Sequence, residues 1–464
     1  MVSQVLKIAL VALCTVTTAA PAPPALSLNE RQVLADPYAP TATTCPSSSL
    51  VRPATGLNPS ESCYVSARKS VADTALAAWL KRQGNFSTSS LPTVGFTSSG
   101  GGYRALLETA GVVQAFDGRD SKFNVSGLDN LWAQAFQDSV LLPANLLSSS
   151  GLTEYALVTS DITAKEAAGY NVTIVDPWGR LLSYQLLQGY DGGVATRLSG
   201  LTSLSNFTNH NVPYPIITTT NVNGSQGQKC TTHYDNLGYV LGTSSDVFFA
   251  ACSVIPPANS TSPAGLGSVL EGLVSKTHEP LFTDLFGLYV NPFYKYQRSS
   301  QVQHNPLLTL PARSVDVLII NDNSADTPDN FPNGTEIQQT YLNAQAAHLP
   351  KMPFIPDVST FVSEGLNKRA TFFGCNETGT TFLVWLPNVA YTYPSGQSTA
   401  KLEYTVAETN AMIANGNAIA TQNGTAGWPF CLACAVRNRD AGELPKGCHA
   451  CFEKYCYYRS GTSG

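Results

Sequence analysis

The stretch Ser98-Ser99-Gly100-Gly101-Gly102-Tyr103-Arg104-Ala105 has the residue types and spacing that point most directly to chemistry. Three successive glycines leave the backbone bare, so neighbouring N–H groups can face one point. The run follows a β-type segment and opens a helical one, which adds the positive end of a helix dipole. Such a nest suits an anionic oxygen, either a phosphate or the oxyanion of an ester in its tetrahedral state. The alternative is a turn that only lets strand and helix pack closely. A P-loop is excluded, because no Gly-Lys-Ser/Thr follows. A second candidate is Asp322, which ends the apolar run Asp316-Val-Leu-Ile-Ile-Asn321 and precedes Asn323-Ser324-Ala325. Sites in α/β proteins gather at the carboxyl ends of central strands, which favours a catalytic carboxylate. A turn or N-cap carboxylate is the plainer alternative. His210, His233, His278, His304, His348 and His449 show no ligand spacing such as His-Glu-x-x-His, which speaks against a metal-dependent hydrolase.

The elements that must position these residues alternate in type. Thr93-Val94-Gly95-Phe96-Thr97 reads as a short strand, and Arg104 to Phe116 as a helix with few charges, hence largely buried. Ser70 to Lys81 has apolar residues at helical spacing and predicts an amphipathic helix. Ile216 to Thr220, Asp316 to Asn321 and Phe382 to Leu386 are strand-like, the second apolar enough for a central strand. Ala20 to Ser60, rich in Pro, Ser and Thr, reads as extended surface chain. No tandem repeat or coiled-coil heptad occurs. Strands alternating with helical patterns argue for one α/β domain.

Composition sets the compartment. The 464 residues carry 27 Lys+Arg against 32 Asp+Glu, a net charge of −5, so no basic surplus exists for binding nucleic acid. Only 13% of residues are charged, against roughly 25% in an average soluble domain. The 43% hydrophobic content argues against disorder. A basic start, an apolar run from Ile8 to about Val16 and small residues through Ala20 have the layout of a secretory signal, expected to be cleaved near Ala19. That leaves residues 20–464 as a single domain, secreted and extracellular. The sequons at Asn85, Asn124, Asn171, Asn206, Asn223, Asn259, Asn333, Asn376 and Asn423 support export and predict N-glycans. No transmembrane span is expected, and the C-terminus lacks the hydrophobic tail of a lipid-anchor signal. Beyond Cys14 in the signal, ten cysteines remain, an even number that reads as disulfides in an oxidising compartment. Cys431-x-x-Cys434 and Cys448-x-x-Cys451 also have the spacing of a four-thiolate zinc site. The secretory route and the nearby Cys456 favour disulfides.

Several blocks together resemble a known family. Ser99-Gly-Gly-Gly-Tyr-Arg-Ala105 is similar to the oxyanion motif of secreted fungal phospholipase B/lysophospholipases, relatives of the cytosolic phospholipase catalytic domain. In the same order follow Asp176-Pro-Trp-Gly-Arg180 with Leu182-Ser-Tyr-Gln185, Pro213-Tyr-Pro-Ile-Ile217, and Asp235-Asn-Leu-Gly-Tyr-Val-Leu-Gly-Thr-Ser-Ser245. Later come Asn291-Pro-Phe-Tyr294, Val315-Asp-Val317 through Asp322-Asn-Ser-Ala-Asp326, Phe372-Phe-Gly-Cys375 and the Cys-rich end from Cys431. The resemblance implies a three-layer α/β/α domain of the patatin and cytosolic-phospholipase type around a central mixed sheet. It implies a Ser/Asp mechanism without His, metal or cofactor, acting on lysophospholipid or phospholipid at a lipid–water interface. Carried onto this chain, Gly101 and Gly102 would donate N–H groups to the oxyanion. Arg104 would hold the substrate phosphate or brace the site, and Asp322 would be the base.

One part of the family pattern is missing. The nucleophile belongs on a Gly-x-Ser-Gly-x elbow between Arg104 and Asp322, and no Gly-x-Ser-x-Gly occurs there. The look-alikes Gly242-Thr243-Ser244-Ser245 and Gly461-Thr462-Ser463-Gly464 belong to another block and to the chain end. A strand, an elbow and a second helix need on the order of 20 residues. Between Asp120 and Asp129 only Ser-Lys-Phe-Asn-Val-Ser-Gly-Leu intervenes before Asp129-Asn-Leu-Trp132 resumes the pattern. The segment before Cys230 is also short, and an acidic stretch expected before Asn305-Pro306 has no counterpart. Ser98 and Ser99 sit inside the oxyanion turn itself and are poorly placed to substitute. The expectation is a central sheet shortened beside Gly100–Gly102, in either a lysophospholipase or a silent secreted glycoprotein that keeps at most lipid binding.

Overall fold

The structure, a computed structural model, describes residues 37–47, 56–116, 152–170, 172, 175–187, 189–215, 230–244, 315–399, 401, 404–439 and 444–459. The signal segment, the stretch from Asp120 to Asp129, the strand expected over Ile216–Thr220 and the Asn291 block lie outside the described residues.

Helix α1 (Pro59–Gln83) is longer than the 70–81 expected from apolar spacing. Its start is set by polar residues: the Asn58 side chain accepts from the Ser60 N–H, Pro59 opens the first turn, and Glu61 follows at the positive end of the dipole. Strand β2 (Val94–Ser98) runs into α2 (Gly102–Ala115), whose inward residues include Leu107, Ala110, Val112 and Ala115. Next come α3 (Leu152–Ala167) and α4 (Val175–Leu186), and then α5 (Leu237–Ser244). After these follow β4 (Val317–Asp322), α6 (Thr335–Ala346), α7 (Val358–Ser363), β5 (Thr371–Phe373) and β6 (Phe382–Pro387). Helices α8 (Val406–Ala420), α9 (Trp428–Arg437) and α10 (Cys448–Tyr455) complete the order. A capping box between Thr405 and Glu408 starts α8.

Among the described residues the main sheet has the order β2-β4-β6-β5. β2, β4 and β6 are parallel, and β5 runs antiparallel to β6, which makes the sheet mixed and open. β4 and β6 are buried at every position, as unbroken runs such as Val-Leu-Ile-Ile require in a parallel sheet covered on both faces. Alternation sends Val317, Ile319, Val384 and Leu386 to one face, against α1, α2, α8 and α9. Leu318, Ile320, Leu383 and Trp385 go to the other face, against α6 and α7. The result is three layers. Among the described residues β2 is an edge strand, and its Val94 and Phe96 are each 39% exposed.

The block Asp176 to Arg180 in α4 serves packing. Arg180 is fully buried and its Nε donates to Asp161 at 2.8 Å, while Asp176 pairs with Lys165 and accepts from the Tyr38 hydroxyl at 2.7 Å. Desolvated charges of this kind persist only when each has a partner. β1 (Thr41–Thr43) pairs with β3 (Cys230–Thr232), and the Cys45–Cys230 disulfide closes that ladder. The disulfide expectation for the Cys-rich end is met by nested pairs, Cys431–Cys451 enclosing Cys434–Cys448, which staple α9 to α10. Cys375–Cys456 ties the chain after α10 to the end of β5, and Cys63 is also disulfide-bonded. Of the sequon residues described, Asn85, Asn206, Asn376 and Asn423 are exposed, and Asn333 is half-buried.

Candidate functional site

The glycine run lies where β2 hands over to α2. Gly101 has φ +149° and Gly102 φ +69°, a region that side-chain-bearing residues rarely adopt. A Cβ on Gly101 would sit 2.9 Å from the Asn323 carbonyl oxygen, and one on Gly102 would sit 2.7 Å from that of Thr399. Both positions therefore need glycine for backbone conformation and for close approach. The N-cap of α2 is Gly101, which makes no side-chain cap bond, so its leading N–H groups suit another acceptor.

Asp322 ends β4 beside this turn, since Ser98 of β2 pairs with Asn321 and the Ser99 N–H donates to the Asn321 carbonyl at 3.0 Å. The carboxylate is fully buried. Its Oδ1 accepts from the Ser324 N–H at 3.0 Å, from the Ser324 hydroxyl at 2.6 Å and, more distantly, from the Ser99 hydroxyl at 3.5 Å. Its Oδ2 accepts from the Trp385 indole N–H at 3.1 Å. The turn-carboxylate geometry and a position at the strand end thus occur together.

Arg104, in the first turn of α2, is buried and ties three segments together. Nη1 donates to the Gln397 carbonyl at 2.5 Å and to the Thr399 hydroxyl at 3.1 Å, and Nη2 donates to the Asn323 carbonyl at 3.0 Å. Burial lowers its pKa, while Tyr404, Glu108, Asp322 and Asp326 act in the opposite direction. Asp326 is pushed up to about 6, chiefly by burial and then by the charge of Asp322. Glu108, one turn beyond Arg104, is buried against the Asn415 amide at 3.3 Å, and burial raises its carboxyl well above the usual range. Asn415 in turn accepts from the Tyr391 and Thr392 N–H groups, which anchors the loop leading to Gln397.

The structure therefore brings Gly101, Gly102, Arg104 and Asp322 to adjoining strand ends. Sequence reading missed Ser324, Trp385, Glu108, Asn415 and the segment at Gln397–Thr399, together with a polar cluster in which Asn321 and Asn323 meet Ser98 and Thr109. The one signal for that cluster is the abrupt switch from Ile320 to Asn321-Asp322-Asn323-Ser324 after an apolar strand. Gly242 to Ser244 lie within α5, so that look-alike is no elbow. Among the described residues no group of His, Cys, Asp and Glu could hold a metal ion, and no helix is long and apolar enough to cross a membrane.

A family model described as the lysophospholipase catalytic domain matches residues 94–131, 123–227 and 303–462. The chain is 32% identical to lysophospholipase 2 of Aspergillus fumigatus, covering 91% of this chain and 93% of that protein. It is 29% identical to lysophospholipase 1 of Candida albicans, covering 90% and 89%. The first of these alignments runs over 551 positions, more than the 464 residues of the whole chain, so that relative carries segments with no counterpart here. The fold is similar to that of human GIVD cytosolic phospholipase A2, with a TM-score of 0.57 at 16% identity over 85% of this chain and 69% of that one.

Proposed function

The chain belongs to the lysophospholipase catalytic-domain family, and we propose that its site takes the acyl ester of a lysophospholipid or phospholipid but lacks the elbow serine that would open the family's Ser/Asp reaction. In the full reaction a serine attacks the ester carbonyl, an aspartate accepts its proton, and water then releases free fatty acid, leaving the glycerophospho-alcohol. Gly101 and Gly102 are suited to the oxyanion, because their N–H groups open α2 beside Asp322. Asp322 is suited to the base. Arg104 acts as a brace, because its donors end on protein carbonyls and the Thr399 hydroxyl.

The observation that carries the reading is the direct pairing of β2 with β4, which sets the glycine turn against the loop after Asp322. Two features of the sequence support the loss. No Gly-x-Ser-x-Gly lies between Arg104 and Asp322, and the family match breaks into overlapping pieces at residues 123–131, just past α2. We further propose secretion after cleavage near Ala19, with N-glycans on the exposed sequons.

The test is release of fatty acid from a lysophospholipid by purified chain, beside Asp322→Ala. The reading expects no release above the variant, with binding to lysophospholipid micelles retained. Release that Asp322→Ala abolishes would establish an active lysophospholipase and overturn it.

A further inference from the structure

The Ser324 hydroxyl stands 2.6 Å from Oδ1 of Asp322, which is the alcohol–carboxylate contact that two-residue acyl transfer requires. Ser99 is the poorer candidate: its hydroxyl is 3.5 Å from the same oxygen and accepts the Asn323 N–H at 2.5 Å. We propose that Ser324 Oγ is the nucleophile this site retains, able to take an acyl or phosphonyl group from an activated ester. The proposal rests on the site described under the proposed function.

Three features of the loop support it. The Ser324 N–H donates to the same carboxylate oxygen at 3.0 Å, so the serine backbone is held; its hydroxyl lies 2.6 Å from the base and is also within hydrogen-bond reach of Asp326. Asn323, between the two residues, packs its carbonyl on Gly101 and receives Arg104, which pins the loop against the glycine turn. Ser324 keeps 7% of its surface exposed, whereas Asp322 has none. The base is therefore dry, and Ser324 is the residue of the pair nearer solvent.

In the step itself, Ser324 Oγ bonds to the ester carbonyl carbon and its proton passes to Asp322. The carbonyl oxygen becomes the oxyanion facing the turn at Gly101 and Gly102. When the tetrahedral species collapses, the bond to the leaving alcohol breaks, and the alcohol takes the proton from Asp322. With an alkyl fluorophosphonate, the new bond is Ser324 Oγ to phosphorus and fluoride departs, leaving an adduct that needs no second step.

The experiment treats the full chain with an alkyl fluorophosphonate and maps the adduct by peptide mass. The expected result is one adduct, on Ser324, formed about a hundredfold or more slowly in Asp322→Asn, the size of a general-base contribution. Ser324→Ala should lose it, with a melting temperature lowered by no more than the loss of its hydrogen bond to Asp322 accounts for. Mapping on the unaltered chain needs no variant to fold. An adduct on Ser98, Ser99 or another serine, or no adduct, overturns the proposal. Absence of both adduct and fatty-acid release removes Ser324 alone and leaves the binding reading standing. Asp322-dependent release with the adduct on Ser324 removes the claim of lost turnover and leaves Ser324.

Discussion

The indole N–H of Trp385 reaches Oδ2 of Asp322 at 3.1 Å from the neighbouring strand, although Trp385 is paired in register with Ile320. Strand alternation explains the contact: residues 320, 322 and 385 share one face, and Asn321 and Asn323 turn the other way, toward Thr109 of α2. The carboxylate is thereby fixed from the side opposite the glycine turn. Trp385→Phe keeps a ring among Phe361 and Phe373 but removes the donor. A hydrogen bond to a charged group contributes about 1.5–3 kcal/mol, and urea unfolding should show a loss of that size.

Arg104→Lys tests the brace. A lysine cannot reproduce the planar fork that meets Asn323, Gln397 and Thr399 at once. The expected result is a stability loss of about 2 kcal/mol. Amide exchange should become faster at residues 397–399, with β4 unchanged.

Helices α2 and α8 cross at two glycines. A Cβ on Gly111 would lie 1.9 Å from the Ile413 carbonyl oxygen, and one on Gly416 would lie 2.1 Å from that of Glu108. Both atoms are backbone and cannot step aside. Gly111→Ala and Gly416→Ala should each cost about 3 kcal/mol or prevent folding, beyond ordinary overpacking. Gly200→Ala, with only the Arg197 Cβ at 3.9 Å, should stay within about 0.5 kcal/mol of the native chain.

Glu108 supplies a pH dependence. Burial raises its carboxyl pKa in the folded chain, with the Asn415 hydrogen bond and Arg104 opposing that shift. The folded state therefore holds the proton more tightly than the unfolded state, and stability falls as pH rises toward the raised value. Glu108→Gln removes the ionisation and keeps the shape. Denaturant midpoints should decline less as pH rises above the unfolded carboxyl's 4.5 in the variant than in the native chain.

Asp326 acts in a lower window. Its pKa moves from 3.8 to about 6, so its contribution is present below pH 3.8 and is lost as pH rises through 6. The group is partly exposed, so screening limits the effect to about 1 kcal/mol. Asp326→Asn should flatten the stability profile across that window, read by thermal melting at stepped pH.

Strand and helix identities near the site were legible because their signals are local. Val94–Ser98, Val317–Asp322 and Phe382–Pro387 each fall within a residue or two of the apolar runs that predict them. Apolar spacing placed the start of α1 eleven residues late, because its first turns are set by Asn58, Pro59 and Glu61 rather than by apolar residues. Strand order was not legible, because pairing across more than two hundred residues leaves no trace in either segment. Trp385 reads only as a strand aromatic, and nothing in the sequence singles out Asn415 or Thr399. Only the packed sheet turns them into partners of Asp322, Glu108 and Arg104. The cysteine pairs were likewise beyond spacing, since Cys431-x-x-Cys434 suits either a metal or a bond, and the two nested bonds join one motif to the other.

The Cys375–Cys456 link encloses the last two strands' connection and three helices in one covalent loop. A protease that nicks the backbone anywhere inside that loop leaves both fragments attached. Such a nicked molecule would migrate as a single band on a non-reducing gel and separate only once thiol is added, so apparent intactness by size is no measure of backbone continuity in this part of the chain.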